Sequence, residues 1–366
     1  MWAPIQFIWY THFNEDWLPM DNTYNTQNRK SDHIRINLDE NVRSGVTNGF
    51  EKYFFIHNAL PELDLKDVDV TLEFLGKPLR LPLLISSMTG GAQESEKINR
   101  NLALAAQETG IAMGLGSMRA ALEDQKASSS FIVRQYAPDI LLFANLGAIQ
   151  LNYGYGVKEC RQAVEKVNAD GLILHLNPLQ EALQPEGQTN FAGILGKIEQ
   201  VCREIEVPVI VKEVGWGISE AVARKLKNAG VAAVDVAGAG GTSWSQVEMY
   251  RSRSEADARI SSHFVQWGIP TAESIQMVRR YVEGLPIIAS GGLTNGIELA
   301  KSIALGAMLG GMAGRFLKAA VISEEAVVDL VMEMKRELMV SMFACGAGNL
   351  KALHETPLTR DVRLHD

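Results

Sequence analysis

The chain has 366 residues, 46% of them hydrophobic, enough for a sizeable core in one large domain or two smaller ones. Its formal charge of -8 argues against nucleic acid or an anionic membrane surface as partner while leaving room for local basic sites, and no apolar run approaches the roughly 20 residues of a membrane span. The three cysteines, Cys160, Cys202 and Cys345, show no CxxC spacing, which argues against a disulfide framework or zinc site and for a reducing, cytoplasmic setting.

Residues 1–28 show neither helical nor strand periodicity and are expected to be a disordered lead. Their apolar, aromatic start lacks the basic region and cleavage site of a signal peptide. A basic cluster, Arg29-Lys30-Ser31-Asp32-His33, opens an arm and lead-in segment over 29–80. Such a cluster is either a solvated surface or an arm that closes over an anionic ligand. A helix or turn is expected to follow it through Arg43. The alternation of Val68–Phe74 (VDVTLEF) predicts a small β element ahead of the main fold.

From Leu81 onward the rhythm is regular. Apolar runs at Leu81–Ile85, Ile111–Leu115, Ile140–Ala144, Gly171–Leu176, Val207–Lys212, Ala232–Ala237, Pro286–Ser290 and Ala307–Met312 read as eight buried parallel strands. Helical patterns lie between them, such as Lys97–Thr109 and Ser219–Ala229, the latter with Ser219 as N-cap. This predicts an α/β protein, a (β/α)8 barrel over 81–350 that includes a covering helix at Ser323–Ala344, with a tail at 351–366. The spacing breaks once, between strands six and seven, where a long loop is expected around Thr242–Ile269. Asn295 is expected to cap the helix after strand seven, with Glu298 as its capping-box partner.

Polar and glycine residues collect where the strands end. The turns at Gly291-Gly292 and Ala313-Gly314 follow strands seven and eight, where barrels commonly hold a phosphate. Bare backbone N–H groups at a phosphate need residues without a Cβ. Lys212 ends an apolar strand, VPVIVK, and needs a partner. It could form a Schiff base, face the N1–C2=O edge of a flavin, or pair with Glu213 or Asp235. Two late glycine turns with a lysine at strand five match a flavin mononucleotide barrel better than an aldolase. His175, Asn177, Gln180 and Glu181 cluster after strand four. Glu181 with phosphate oxygens would suit Mg²⁺. Ser117, Arg119, Arg29 and Lys30 could complete a diphosphate site.

The motifs RKSDH, SSMTGG, GSMR, ANLG, HLNPLQE, VKEVGWG, GAGGTSW, SGGLTNG and GMAGRF, in that order between Gln27 and Leu350, resemble the type 2, FMN-dependent isopentenyl diphosphate isomerase family. The resemblance implies a redox-neutral shift of a double bond, isopentenyl to dimethylallyl diphosphate, on reduced FMN with Mg²⁺. NADPH would serve only to reduce the flavin. By the same resemblance, Ser87, Met88, Thr89, Ser117, Asn145, Lys212, Thr242, Gly291, Gly292, Leu293, Ala313 and Gly314 hold the flavin. Arg29, Lys30, Ser117, Arg119, His175, Asn177 and Gln180 hold the substrate, Glu181 the metal, and Gln180, Lys212 and His175 serve catalysis. A cytoplasmic homo-oligomer, tetramer or octamer, is implied. Residues 1–19 precede every matching motif and are expected to contribute nothing to catalysis. The rival is an FMN oxidoreductase of the 2-hydroxy-acid oxidase type. It would need a histidine base and an arginine near strand six, and AGAGGTSW offers neither.

Overall fold

Strands buried on both faces must be apolar on both faces, and each run here divides its side chains between two cores. In the computed structural model, which describes residues 26–91 and 93–360, eight parallel strands close into a barrel. They are β1 (Leu83–Ile85), β2 (Ala112–Gly114), β3 (Leu142–Gly147), β4 (Gly171–His175), β5 (Val209–Lys212), β6 (Ala233–Asp235), β7 (Ile287–Ser290) and β8 (Leu309–Met312). Each matches one predicted run, usually trimmed at an end; β3 instead extends to Gly147. Pairing of Gly310 with Leu83 and of Met312 with Ile85 closes the ring.

Each strand region gives at least one apolar side chain to the barrel interior. Leu84, Ala112, Phe143, Ile173, Ile210, Ala233, Ile288 and Leu309 form an inner cluster. Their neighbours, among them Leu83, Ile85, Leu172, Leu174, Val209 and Val211, pack outward with the surrounding helices. Helices form where predicted, at Gln93–Thr109 and Glu220–Asn228, and the Ser219 hydroxyl accepts from Val222 N. The last long helix, Glu324–Cys345, lies against Gly296–Leu305 so closely that a β-carbon at Gly296 would sit 2.2 Å from Met334 O.

The β element expected ahead of the barrel is an antiparallel hairpin, Leu72–Phe74 with Lys77–Leu79. Phe74 and Leu79 belong to the inner cluster. Lys77 pairs at 2.9 Å with Asp170, the residue just before β4. The hairpin therefore floors the barrel at the N-terminal ends of its strands and leaves the opposite face open.

The excursion after β6 is folded rather than open, into helices Trp244–Arg251 and Glu255–His263. The first buries four consecutive residues, Ser245, Gln246, Val247 and Glu248, three of them polar, so no apolar period marks it. Asn295 caps its helix by accepting from Glu298 N at 2.8 Å. The expected capping box does not close, because the Glu298 carboxylate accepts instead from Thr294 N and from Asn48. The basic cluster lies on helix Thr26–Asp39. Readings made for residues 1–25 fall outside the described residues. No helix among the described residues is long and apolar enough to cross a membrane.

Phe74 is 1% exposed inside the barrel floor. Phe74→Ala is expected to cost about 3–5 kcal/mol through the cavity it leaves, read by urea denaturation. A loss below about 1 kcal/mol would show that the hairpin is not part of the core.

Candidate active site

The strand C-termini open into a cavity of about 540 Å³. Every candidate ligand named from the sequence lies on its wall. Ser87, Met88 and Thr89 follow β1, Ser117 and Arg119 follow β2, and Asn145 comes from β3. His175 ends β4, with Asn177, Gln180 and Glu181 on the next turn. Lys212 ends β5, Thr242 follows β6, Gly291, Gly292 and Leu293 follow β7, and Ala313 and Gly314 follow β8. Arg29 and Lys30 reach the same cavity from the N-terminal helix.

The late turns suit a phosphate. Gly291 and Gly292 have φ of 108° and 80°, the left-handed range that glycine adopts freely. Added β-carbons would lie 2.2 Å from Gly238 O and 2.5 Å from Gly240 O. Among the described residues, the N–H groups of Gly292, Leu293, Ala313 and Gly314 have no protein acceptor. Gly314 also opens helix Gly314–Ile322, whose N-terminus carries partial positive charge.

Lys212, 7% exposed, donates to Glu213 O at 2.7 Å and pairs with Asp235 at 3.6 Å. Of the carboxylates considered for it, Asp235 supplies the ion pair and Glu213 only its carbonyl. The Glu213 carboxylate instead accepts from the N–H groups of Val214, Gly215 and Trp216. Burial still pushes its carboxyl up to about 7, with those bonds and Lys212 opposing.

Asn145 donates its amide to Ser87 Oγ at 2.8 Å, and its oxygen lies 2.8 Å from His175 Nδ1. That assignment places the imidazole proton on Nδ1 and leaves Nε2 as an acceptor. Burial first, then the charges of Lys212, Arg29 and Lys30, lower His175 to about 4. It is a neutral group at pH 7.

Glu181 accepts from Asn177 Nδ2 at 2.9 Å, Gln184 Nε2 at 2.6 Å and Gln188 N at 2.7 Å. No cluster of three or more His, Cys, Asp or Glu suited to a metal occurs among the described residues. A cation here would rest on Glu181 and the ligand's own oxygens, a donor set that fits Mg²⁺. Across the cavity, Lys30 donates to Ser117 O at 2.9 Å and lies 5.1 Å from the Phe131 ring centre. Burial and then Arg29 lower its ammonium to about 7. Arg119 pairs with Glu123 at 2.7 Å.

Sequence reasoning missed the roof of the site. Glu248, fully buried, accepts from Gln180 Nε2 at 3.0 Å and from Arg251 at 2.5 Å, and lies 3.4 Å from His33 Nε2. Burial alone would raise its carboxyl, but these contacts outweigh it and hold the group down at about 2. The His33 ring packs edge-on to Trp244, 4.9 Å between centres. The partners lie far apart in the chain, so no local spacing signals them.

The fold and site define an α/β-barrel enzyme whose open face brings together bare-amide glycine turns, a buried lysine and the Arg29, Lys30 and Arg119 side chains in one cavity. A family described as FMN-dependent dehydrogenase matches residues 177–360. An isopentenyl-diphosphate delta-isomerase from Nostoc sp. is 52% identical, covering 92% of this chain and 96% of its own. One from Rickettsia rickettsii is 52% identical over 89% and 95%. Among solved structures, a lactate oxidase from Pediococcus acidilactici aligns with a TM-score of 0.63 at 15% identity, covering 85% of this chain and 84% of its own. A mandelate oxidase aligns at 0.60 with 18% identity over 91% and 97%; at such identity the likeness extends to the fold alone. The chain belongs to the isopentenyl-diphosphate delta-isomerase family, and it is an isomerase.

The depressed His175 predicts a pH effect. The unfolded chain binds this proton near pH 6.5 and the folded chain only near 4, so stability is lost as pH falls through that window. His175→Asn should therefore gain up to about 3 kcal/mol relative to the parent between pH 7 and pH 4, read from paired urea melts. A pH-independent difference would mean that His175 titrates normally.

Proposed function

We propose that this isomerase converts isopentenyl diphosphate to dimethylallyl diphosphate using FMN in its reduced form and Mg²⁺. The observation that carries the reading is the single cavity shared by the bare N–H turns after β7 and β8, the Lys212 cation, and the Arg29, Lys30 and Arg119 side chains. The turns would hold the FMN phosphate, and Lys212 would face the anionic edge of the ring. Bound reduced FMN would supply the acid and base for an alkene that has no activating group.

The chain's own residues do the rest. Arg29, Lys30 and Arg119 bind the diphosphate, and Ser117 and Asn177 contribute polar contacts. Gln180, held by Glu248 at 3.0 Å, orients the substrate. Glu181 holds the metal. The neutral His175 offers an acceptor, or takes up a proton when phosphate charge arrives beside it. The helix bearing Arg29 and His33, packed on Trp244, excludes water from a developing carbocation that water would otherwise convert to an alcohol. NADPH would serve only to reduce the flavin. The reading takes the enzyme as a cytoplasmic homo-oligomer, tetramer or octamer. A 2-hydroxy-acid oxidase would need an imidazole base and an arginine at the β6 exit, and Ala237–Trp244 supplies neither.

The deciding experiment is an anaerobic assay with reduced FMN, Mg²⁺ and isopentenyl diphosphate. Dimethylallyl diphosphate should form without net NADPH consumption; no product from flavin-loaded protein would sink the proposal. Arg29→Ala removes a charge-assisted phosphate contact of roughly 1.5–3 kcal/mol. It should raise KM about 10-fold or more at normal flavin content, and an unchanged KM would assign the diphosphate to the barrel loops alone. Glu181→Gln should raise the Mg²⁺ concentration needed for half-maximal rate while FMN stays bound. Unchanged magnesium dependence would exclude Glu181 as the ligand.

A further inference from the structure

Asn48 lies outside the cavity wall, yet it sits directly behind the β7 turn. It is 7% exposed, and its side chain is committed on every side. Its amide donates to Gly292 O at 2.8 Å and to Glu298 Oε1 at 3.0 Å, and its oxygen accepts from Phe50 N at 3.1 Å. The other Glu298 oxygen accepts from Thr294 N at 2.7 Å and from Thr294 Oγ1 at 2.9 Å. Glu298 thus fixes one end of the Gly292–Thr294 segment while Asn48 fixes the other.

The backbone around Asn48 is fixed as well. Its carbonyl accepts from Ala272 N at 3.0 Å, and Lys301 donates to Phe50 O at 3.0 Å. Its main chain presses on the β6 exit, where a β-carbon at Gly240 would lie 2.3 Å from Asn48 N. Gly240 and Gly241 in turn press on Gly292. The contacts run in one line, from Asn48 through the β6 exit to the turn whose free N–H groups face the cavity.

We propose that Asn48 and Glu298 form a clamp that sets the direction of the Gly292 and Leu293 N–H groups and so determines affinity for the phosphate of the flavin cofactor. The inference rests on reading these turns as the FMN phosphate site. Asn48 is a positioning residue, because it acts through Gly292 rather than on the ligand. A hydrogen bond to a carbonyl draws electron density from its amide and fixes the plane of the peptide that follows it, which is the peptide carrying the Leu293 N–H. Without the clamp, that N–H samples directions away from the anion, and the cost appears in phosphate binding alone.

The test compares FMN with riboflavin, which has the same ring and no phosphate, by fluorescence quenching on apoprotein that has been checked for refolding with FMN. The parent should bind FMN much more tightly than riboflavin. Asn48→Ala and Glu298→Ala should each weaken FMN about 10-fold, in the range of one or two lost hydrogen bonds, and leave riboflavin affinity unchanged. The double variant should be no weaker than the worse single one, as expected for two residues acting as a unit. Equal losses for FMN and riboflavin would reduce Asn48 to a general structural role and overturn the inference, as would unchanged FMN affinity. A parent that does not discriminate FMN from riboflavin would overturn both the inference and the phosphate reading beneath it, which separates the two failures.

Discussion

No β-carbon fits between the exits of β6 and β7. At Gly238 it would lie 2.4 Å from Thr271 Cα, at Gly241 2.7 Å from Gly292 N, and at Gly291 2.2 Å from Gly238 O. This close approach brings two main-chain turns edge to edge. Their amides face inward, and no side chain stands between them and a ligand. Barrel closure puts the turns on one face, and the glycine contacts hold the β6 and β7 exits against each other. The N-terminal segment and helix Thr271–Tyr281 back the arrangement from outside, so the pocket wall is two layers deep.

Charge is distributed in the same spirit. The buried carboxylates are occupied with protein donors: Glu213 with three N–H groups, Asp235 with Ser290 and Lys212, Glu248 with Gln180 and Arg251, Glu181 with Asn177, Gln184 and Gln188. Arg29 has no ion-pair partner among the described residues, and Lys30 has only a carbonyl and a ring. In a cavity of low dielectric, this leaves positive potential facing inward. Lys30, lowered to about 7 first by burial and then by Arg29, shows the cost of burying such cations without an anion.

What the sequence made legible follows from how local each signal is. The eight strands could be read because a strand buried on both faces leaves an unbroken apolar run. The glycine turns and Lys212 could be read because each departs from such a run. Glu248 could not, because Gln180 lies 68 positions away and the helix carrying Glu248 buries mostly polar residues. Asn48 could not, since its partner Glu298 is 250 positions distant. Glu298 departs from the familiar capping-box pattern, because its carboxylate accepts from Thr294 N and from Asn48 Nδ2 rather than from Asn295 N. The hairpin was visible as alternation at Val68–Phe74, but nothing in the alternation says that Phe74 enters a barrel.

The N-terminal segment is stitched to partners made much later in synthesis. Ser44 N donates to Gly241 O, Asn58 N to Ala344 O and Asp69 N to Gly348 O, and Phe54 pairs with Thr359. As the chain leaves the ribosome, Ser44 has no partner until Gly241 is made, and Phe54, Asn58 and Asp69 have none until the last helices emerge. Contacts of such sequence separation form slowly, because a long loop must close before they return any stability. The early segment therefore waits in an unpaired state while the barrel assembles, with its apolar residues accessible to other chains. The glycine turns follow the same schedule: Asn48, made early, can back them only after Gly240, Ala272 and Gly292 have been made.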